Sequence, residues 1–250
     1  MTSPTPTTRT IETFPDVAAV AQAAADLFVA HSRAAQAEGR DFRVALSGGS
    51  TPRRFHAMLA ASPLREQVDW SRIQFFWGDE RCVAPDDAES NYRMARETLL
   101  DAVPVAPAQI HRMRGEDDPA QAALAYENEV RQVFGVAATG VPRFDLIYVG
   151  MGPDGHTLSL FPHTAALNLT NRLVTENAVL QLQTNRITFT TTLANAAAVV
   201  AFVVAGADKA DALAEVLQGE RNPEQYPSQL IAPAGELRFL VDAPAAAKLR

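Results

Sequence analysis

The sequence predicts an α/β fold, one main domain built on a mostly parallel sheet with helices on both faces. Three observations carry this. Apolar runs of strand length recur at Phe42–Leu46, Ile73–Trp77, 144–149 and 198–204, as expected of strands covered on both sides. Segments with helical spacing of apolar residues alternate with them. Polar, glycine-bearing turns follow the runs directly, so the chain reverses where each strand ends. With 250 residues, 47% of them hydrophobic, the chain can bury a large single core.

Residues 1–10, MTSPTPTTRT, read as a flexible Thr/Pro tail, and residues 11–250 as one domain. The tail lacks the apolar segment behind a basic start that a secretory signal needs. Residues 15–37 predict a long helix, with Val17, Val20, Ala24, Leu27 and Phe28 on one face and Gly39 ending it. Phe42–Leu46 is the first strand. Ser47-Gly48-Gly49-Ser50-Thr51-Pro52 then leads into a helix ending near Ala60, with Pro52 as its first residue and Ser50 or Thr51 as cap. Ile73–Trp77 is the second strand and runs into Gly78-Asp79-Glu80-Arg81. Helices follow over 92–100 and Pro119–Phe134. Residues 144–149 are the third strand, and 174–182 and 187–190 read as strands. Residues 198–204 form another, ended by Gly206 and followed by a helix over 208–217. The last strand is 238–241, with a short helix after Pro244.

Composition narrows the partners. A net charge of -7 argues against nucleic acid, whose binding faces are basic, yet leaves room for a small anion held by a local cluster of Arg and Lys. The single cysteine, Cys82, excludes an internal disulfide and a cysteine zinc site, and fits a reducing, cytoplasmic setting. No apolar run has membrane-spanning length, so no membrane partner is expected. His31, His56, His111 and His163 are isolated from other ligand types, and no metal is expected.

Residues 144–163, FDLIYVGMGPDGHTLSLFPH, carry the strongest functional signal. The apolar strand breaks into Gly150-Met151-Gly152-Pro153-Asp154-Gly155-His156, which can continue neither as strand nor as regular helix. Asp154 and His156 flank the last glycine at a strand end, where open α/β sheets place ligands. Imidazole, with an unperturbed pKa of about 6.5, suits proton transfer near neutrality. A plain turn with an Asp cap is the alternative for the same residues. Gly150-x-Gly152-x-x-Gly155, with Glu176 further on, also mimics a dinucleotide fingerprint. That motif needs a helix opening at the third glycine, and Pro162 comes too soon for one.

Ser47-Gly48-Gly49-Ser50-Thr51 suits a single phosphate, with backbone N–H groups and a helix N-terminus facing it. It has neither the spacing nor the lysine of a P-loop, and a tight βα turn is the alternative. Arg186 and Lys209 are candidates to close over the same anion. Asp79-Glu80-Arg81 either pair among themselves or face the ligand, and Ser90-Asn91-Tyr92 reads as a helix start. Ser47–Thr51, Asp79–Arg81, Asp154–His156 and Asp208–Lys209 all follow predicted strands, so a parallel sheet brings these four segments to one edge.

In this order the blocks LSGGSTP, WGDER, ESNY, FDLIYVGMGPDGHTLSLFP, RITFT and AGADKADAL resemble the 6-phosphogluconolactonase family, within the group that includes glucosamine-6-phosphate deaminases. The resemblance covers nearly the whole chain from residue 11. It implies a three-layer αβα sandwich with a Rossmann-like sheet, and hydrolysis of 6-phospho-D-glucono-1,5-lactone to 6-phosphogluconate in the oxidative pentose phosphate pathway, without a cofactor. It implies His156 and Asp154 as the catalytic pair. It places Ser47, Gly48, Gly49, Ser50, Thr51, Asp79, Arg81, Gly152, Gly155, Arg186 and Lys209 around the phosphosugar lactone, in a monomer or small homo-oligomer. One departure stands out: Leu182-Gln183-Thr184-Asn185 replaces a stretch commonly rich in Pro and Lys. The deaminases carry a glutamate seven residues after the aspartate of the Asp-Gly-His element, and here that position is Phe161. A non-catalytic sugar-phosphate sensor is the third reading, though it would usually carry a DNA-binding or partner segment and none of that size is seen.

Overall fold

The computed structural model describes residues 8–250. The chain opens with strand β1 (Thr8–Phe14) and helix α1 (Val17–Ala37), whose first turn is capped by the Asp16 side chain on the Ala19 N–H at 2.9 Å. Next come β2 (Phe42–Leu46), α2 (Ser50–Leu59), β3 (Ile73–Trp77), β4 (Asp79–Arg81), α3 (Asn91–Thr98) and α4 (Pro119–Phe134). The second half runs β5 (Leu146–Val149), β6 (Val174–Val179), β7 (Thr184–Phe189), α5 (Thr191–Ala194), β8 (Val199–Val204), α6 (Ala210–Gln218), β9 (Glu236–Asp242) and α7 (Ala243–Ala246).

Six strands make one parallel sheet in the order β1-β9-β8-β5-β2-β3. Its residues alternate between two cores, as a period of two requires. Ala45, Phe76, Ile147 and Phe202 face one side, while Val44, Leu46, Phe75, Trp77 and Tyr148 face the other. Helices α1, α2 and α3 cover the second face, and α4 and α6 the first, giving the expected αβα layers. From β2 the chain steps outward to β3, then returns to place β5 on the other side of β2. The carboxyl ends of β2 and β5 therefore flank the point where strand order reverses, which is where such sheets open a crevice.

A second, antiparallel sheet, β4-β7-β6, was not foreseen as a unit. The chain leaves β3 at Gly78 and joins it at once as β4, with Asp79 opposite Thr188, Glu80 opposite Ile187 and Arg81 opposite Arg186. Gly78 permits the crossing, because a Cβ there would come within 2.6 Å of Leu158 Cδ2. Asp79-Glu80-Arg81 is thus a strand with alternating sides and not a loop.

Several boundaries move. β1 takes in Thr8, Arg9 and Thr10 from the segment read as tail, and pairs with β9 along its whole length; residues 1–7 lie outside the described residues. Helix α2 starts at Ser50 with Gly49 as its cap at φ 108, so neither Ser50 nor Thr51 caps it and Pro52 is its third residue. β6 stops at Val179, and Leu180–Leu182 form a 3-10 turn ended by Gln183 at φ 50. Lys209 ends a 3-10 turn, Ala207–Lys209, before α6 begins. No helix starts at Gly155, which removes the dinucleotide reading. Among the described residues no helix is long and apolar enough to cross a membrane.

Candidate active site

The turn after β5 is closed by its own backbone. The Gly152 N–H donates to the His156 carbonyl at 2.9 Å and the Gly155 N–H to the Gly152 carbonyl at 3.0 Å. This folding brings the Asp154 and His156 side chains together, with His156 Nδ1 2.6 Å from Asp154 Oδ1. The same carboxylate oxygen accepts the His156 backbone N–H at 3.2 Å. Burial raises the Asp154 carboxyl, but its hydrogen bond to the His156 imidazole and the imidazole's charge outweigh burial and leave it below the usual carboxylate range. Facing an ionised carboxylate, Nδ1 carries a hydrogen, so Nε2 holds the lone pair.

Two glycines are required here on steric grounds. A Cβ at Gly152 would lie 2.1 Å from His156 Nδ1 and 2.5 Å from Asp154 Oδ1. Gly155 has φ 77, and a Cβ on it would meet the Tyr226 ring at 2.8 Å. The imidazole stacks on Phe161, with centroids 4.0 Å apart, so an apolar ring covers one face of the base. Between them Leu158 adopts φ 54, a left-handed backbone that costs a non-glycine residue roughly 1–2 kcal/mol. This kink turns Ser159 toward β4, where its Oγ donates to Asp79 Oδ2 at 2.7 Å.

His156 stands on the wall of a cavity of about 360 Å³ between the ends of β2, β4, β5 and β7. Of the residues proposed from sequence, Ser47, Gly48, Gly49, Asp79, Arg81, Gly152, Arg186 and Lys209 also line it. Ser50, Thr51, Asp154 and Gly155 do not: Ser50 is exposed, Thr51 is buried, and Asp154 and Gly155 support His156 from behind. Asn91, Ser159 and Phe161 line the cavity but escaped prediction as site residues, since Asn91 reads as an ordinary helix start and Ser159 reaches the site only through the kink at Leu158. Leu182, from the departing 182–185 segment, also lines the cavity and is exposed.

Three cations converge on this space. Arg81 donates to the Glu89 carbonyl, which fixes its guanidinium. Lys209 Nζ lies 2.9 Å from Asp208 Oδ2, a largely exposed carboxylate. The Arg186 guanidinium has no hydrogen-bond partner among the described residues, and burial together with the neighbouring charge of Arg81 lowers its pKa from the ordinary value. Two like charges on paired strands are unfavourable unless an anion sits between them. Glu80 does not contribute to this charge balance at the cavity. It turns inward and accepts the N–H groups of Arg81, Asn91 and Tyr92, each at 2.8 Å, as the buried anchor of the α3 start. Cys82 is partly buried against the core, and burial pushes its thiol up to about 11. No group of three His, Cys, Asp or Glu side chains among the described residues is placed to hold a metal.

A Rossmann-like αβα sandwich with a cationic crevice at its strand-order reversal, lined also by a carboxylate-oriented histidine, defines an anion-binding site that can move a proton. Residues 15–239 match the family model described as glucosamine-6-phosphate isomerases/6-phosphogluconolactonase, and the chain belongs to this family. It is 47% identical over 208 residues to a 6-phosphogluconolactonase of Synechocystis sp., covering 83% of this chain and 84% of that one. It is 42% identical over 242 residues to a 6-phosphogluconolactonase of Nostoc sp., covering 96% and 98%. The solved 6-phosphogluconolactonase of Trypanosoma brucei superposes with a TM-score of 0.85 at 26% identity, over 97% of this chain and 99% of that one.

Proposed function

We propose that this chain hydrolyses 6-phospho-D-glucono-1,5-lactone to 6-phospho-D-gluconate, the lactonase step of the oxidative pentose phosphate pathway. The observation that carries the reading is the Asp154–His156 pair at 2.6 Å, whose imidazole lines the same cavity as Arg81, Arg186 and Lys209. The 6-phosphate binds the Ser47-Gly48-Gly49 loop with Arg186 and Lys209, and so positions the ring. His156 Nε2 takes a proton from water as the water oxygen attacks the lactone carbonyl carbon. The C–O bond to the ring oxygen then breaks, and the imidazolium returns the proton to that oxygen. Asp154 holds the tautomer and stabilises the imidazolium. Gly152, Gly155 and His156 engage their N–H groups within the turn, so the oxyanion role falls to Arg81 and the remaining N–H groups of the cavity wall.

Phe161 supports this reading over deamination. The resemblance places the deaminase glutamate at this position, and here an apolar ring stacks on His156 instead. The test is an assay of the purified protein with the phosphorylated lactone, spontaneous opening subtracted, beside ammonia release from glucosamine 6-phosphate. Lactone loss without ammonia is the expected result, and ammonia release without lactone loss would reverse the assignment.

A further inference from the structure

Among the polar side chains of the cavity wall that the mechanism leaves unused is Asn91. Asn91 is 2% exposed and occupies the first position of α3. Its N–H, the Tyr92 N–H and the Ser90 hydroxyl all donate to the buried Glu80 carboxylate, which fixes where this helix begins. The Asn91 side-chain Nδ2 donates to the Asp79 main-chain carbonyl at 2.9 Å and lies 3.5 Å from Asp79 Oδ1. A carbonyl only accepts, so this contact also settles which amide atom is nitrogen. Oδ1 therefore points the other way, toward Gly48, where a Cβ would come within 1.8 Å of it. Among the described residues nothing donates to Oδ1, and Asn91 faces the cavity. Oδ1 is not sealed from solvent, so it is an acceptor open to the cavity that a ligand hydroxyl can take up.

We propose that Asn91 is a specificity-determining residue whose Oδ1 accepts a hydrogen bond from the C4 hydroxyl of the sugar ring. The proposal rests on the lactonase reading given above. The phosphate oxygens are acceptors and repel an amide oxygen, so Oδ1 addresses the first donor inward from the phosphate. In a 1,5-lactone phosphorylated on C6, C5 carries the ring oxygen and has no hydroxyl. The first donor is then the C4 hydroxyl. The C2 hydroxyl adjoins the carbonyl carbon and lies at the His156 end. A site built to pair with a hydroxyl rejects an analogue that lacks it, because the protein acceptor is then left bare.

The test compares kcat/KM for the 6-phosphorylated glucono-, 4-deoxyglucono- and 2-deoxyglucono-1,5-lactones in wild type, Asn91→Ala and Asn91→Asp. Wild type should disfavour the 4-deoxy substrate by at least about tenfold. Asn91→Ala should bring that ratio within about twofold of unity and leave the 2-deoxy ratio unchanged. Asn91→Asp, which keeps an acceptor oxygen, should retain the 4-deoxy penalty. Each ratio is internal to one enzyme, so a general loss of activity does not imitate the effect. If Asn91→Ala turns over too slowly, calorimetric binding of 1,5-anhydroglucitol 6-phosphate and its 4-deoxy derivative gives the same ratio without catalysis. An undiminished 4-deoxy penalty in Asn91→Ala overturns the assignment. A wild-type protein that leaves the parent lactone untouched overturns instead the lactonase reading beneath it.

Discussion

The turns after β2 and β5 leave neighbouring strands at the same sheet edge, and both are built on glycine, yet they use it in opposite ways. After β5 the missing Cβ of Gly152 makes room for side chains, since His156 Nδ1 and Asp154 Oδ1 occupy the space a methyl would fill. After β2 the missing Cβ of Gly48 makes room for Asn91 from another element, and the loop itself offers a ligand mainly backbone. On the proposed function, the β5 turn serves proton transfer and the β2 turn holds an anion. Glycine next to a strand end marks a site in both cases, but only the neighbouring side chains tell which chemistry it serves.

The largest effect should come from the proton-transfer end. His156→Asn should lower kcat by about 10²–10⁴-fold with little change in affinity for 6-phosphogluconate, read by steady-state kinetics and by calorimetry. Gly152→Ala should come next. Its methyl must displace the Asp154–His156 pair, so kcat should fall by roughly tenfold or more. Gly48→Ala presses on Asn91 instead and should act mainly on KM. A Gly48→Ala enzyme with the kcat defect of Gly152→Ala would break the contrast between the two turns.

A second histidine sharpens the comparison through stability. His56 is fully buried on α2, 3.3 Å from Thr98 Oγ1, and burial with the nearby Arg53 charge pushes its imidazole down to about 3. The folded value lies below the unfolded one, so the unfolded chain binds the extra proton. Stability from the neutral His56 is thus complete above about pH 6.5 and is lost as pH falls from there toward 3, by up to about 1.4 kcal/mol per unit. Denaturant melts of wild type and His56→Gln between pH 7 and 4 should show a shallower slope in the variant, and parallel slopes would contradict this account. The smallest effect belongs to Cys82→Ser. A thiol held near 11 is inert at neutral pH, so activity should stay within about twofold, measured with the lactone assay.

Much of this division was legible in sequence, and the residues show why. The buried strands announced themselves as apolar runs, and His156 was the one histidine joined to a glycine turn and a carboxylate. β1 was missed because Thr8–Phe14 has only two apolar residues, Ile11 and Phe14, three positions apart, and no buried residue at the sheet edge. β4 was missed because three charged residues have no strand signature of their own, and only the pairing with β7 makes them one. Glu80 and Asn91 share the same difficulty. Their roles depend on the meeting of β4 with the α3 start, and Asn91 also on its approach to the β2 turn. Ser50 and Thr51 were included through their place in the loop, but the helix begins two residues earlier than expected, at Ser50, and carries them off the cavity wall.

The measurement that addresses the division most directly is a comparison of D-glucono-1,5-lactone with its 6-phosphate in wild type, His156→Asn and Arg186→Gln. His156→Asn should lower kcat by the same factor on both lactones. Arg186→Gln, which removes a charge-assisted contact to phosphate, should raise KM by about 10–100-fold for the phosphorylated lactone and leave the unphosphorylated one nearly unchanged. An Arg186→Gln enzyme that loses equally on both lactones would contradict the assignment of a separate phosphate end.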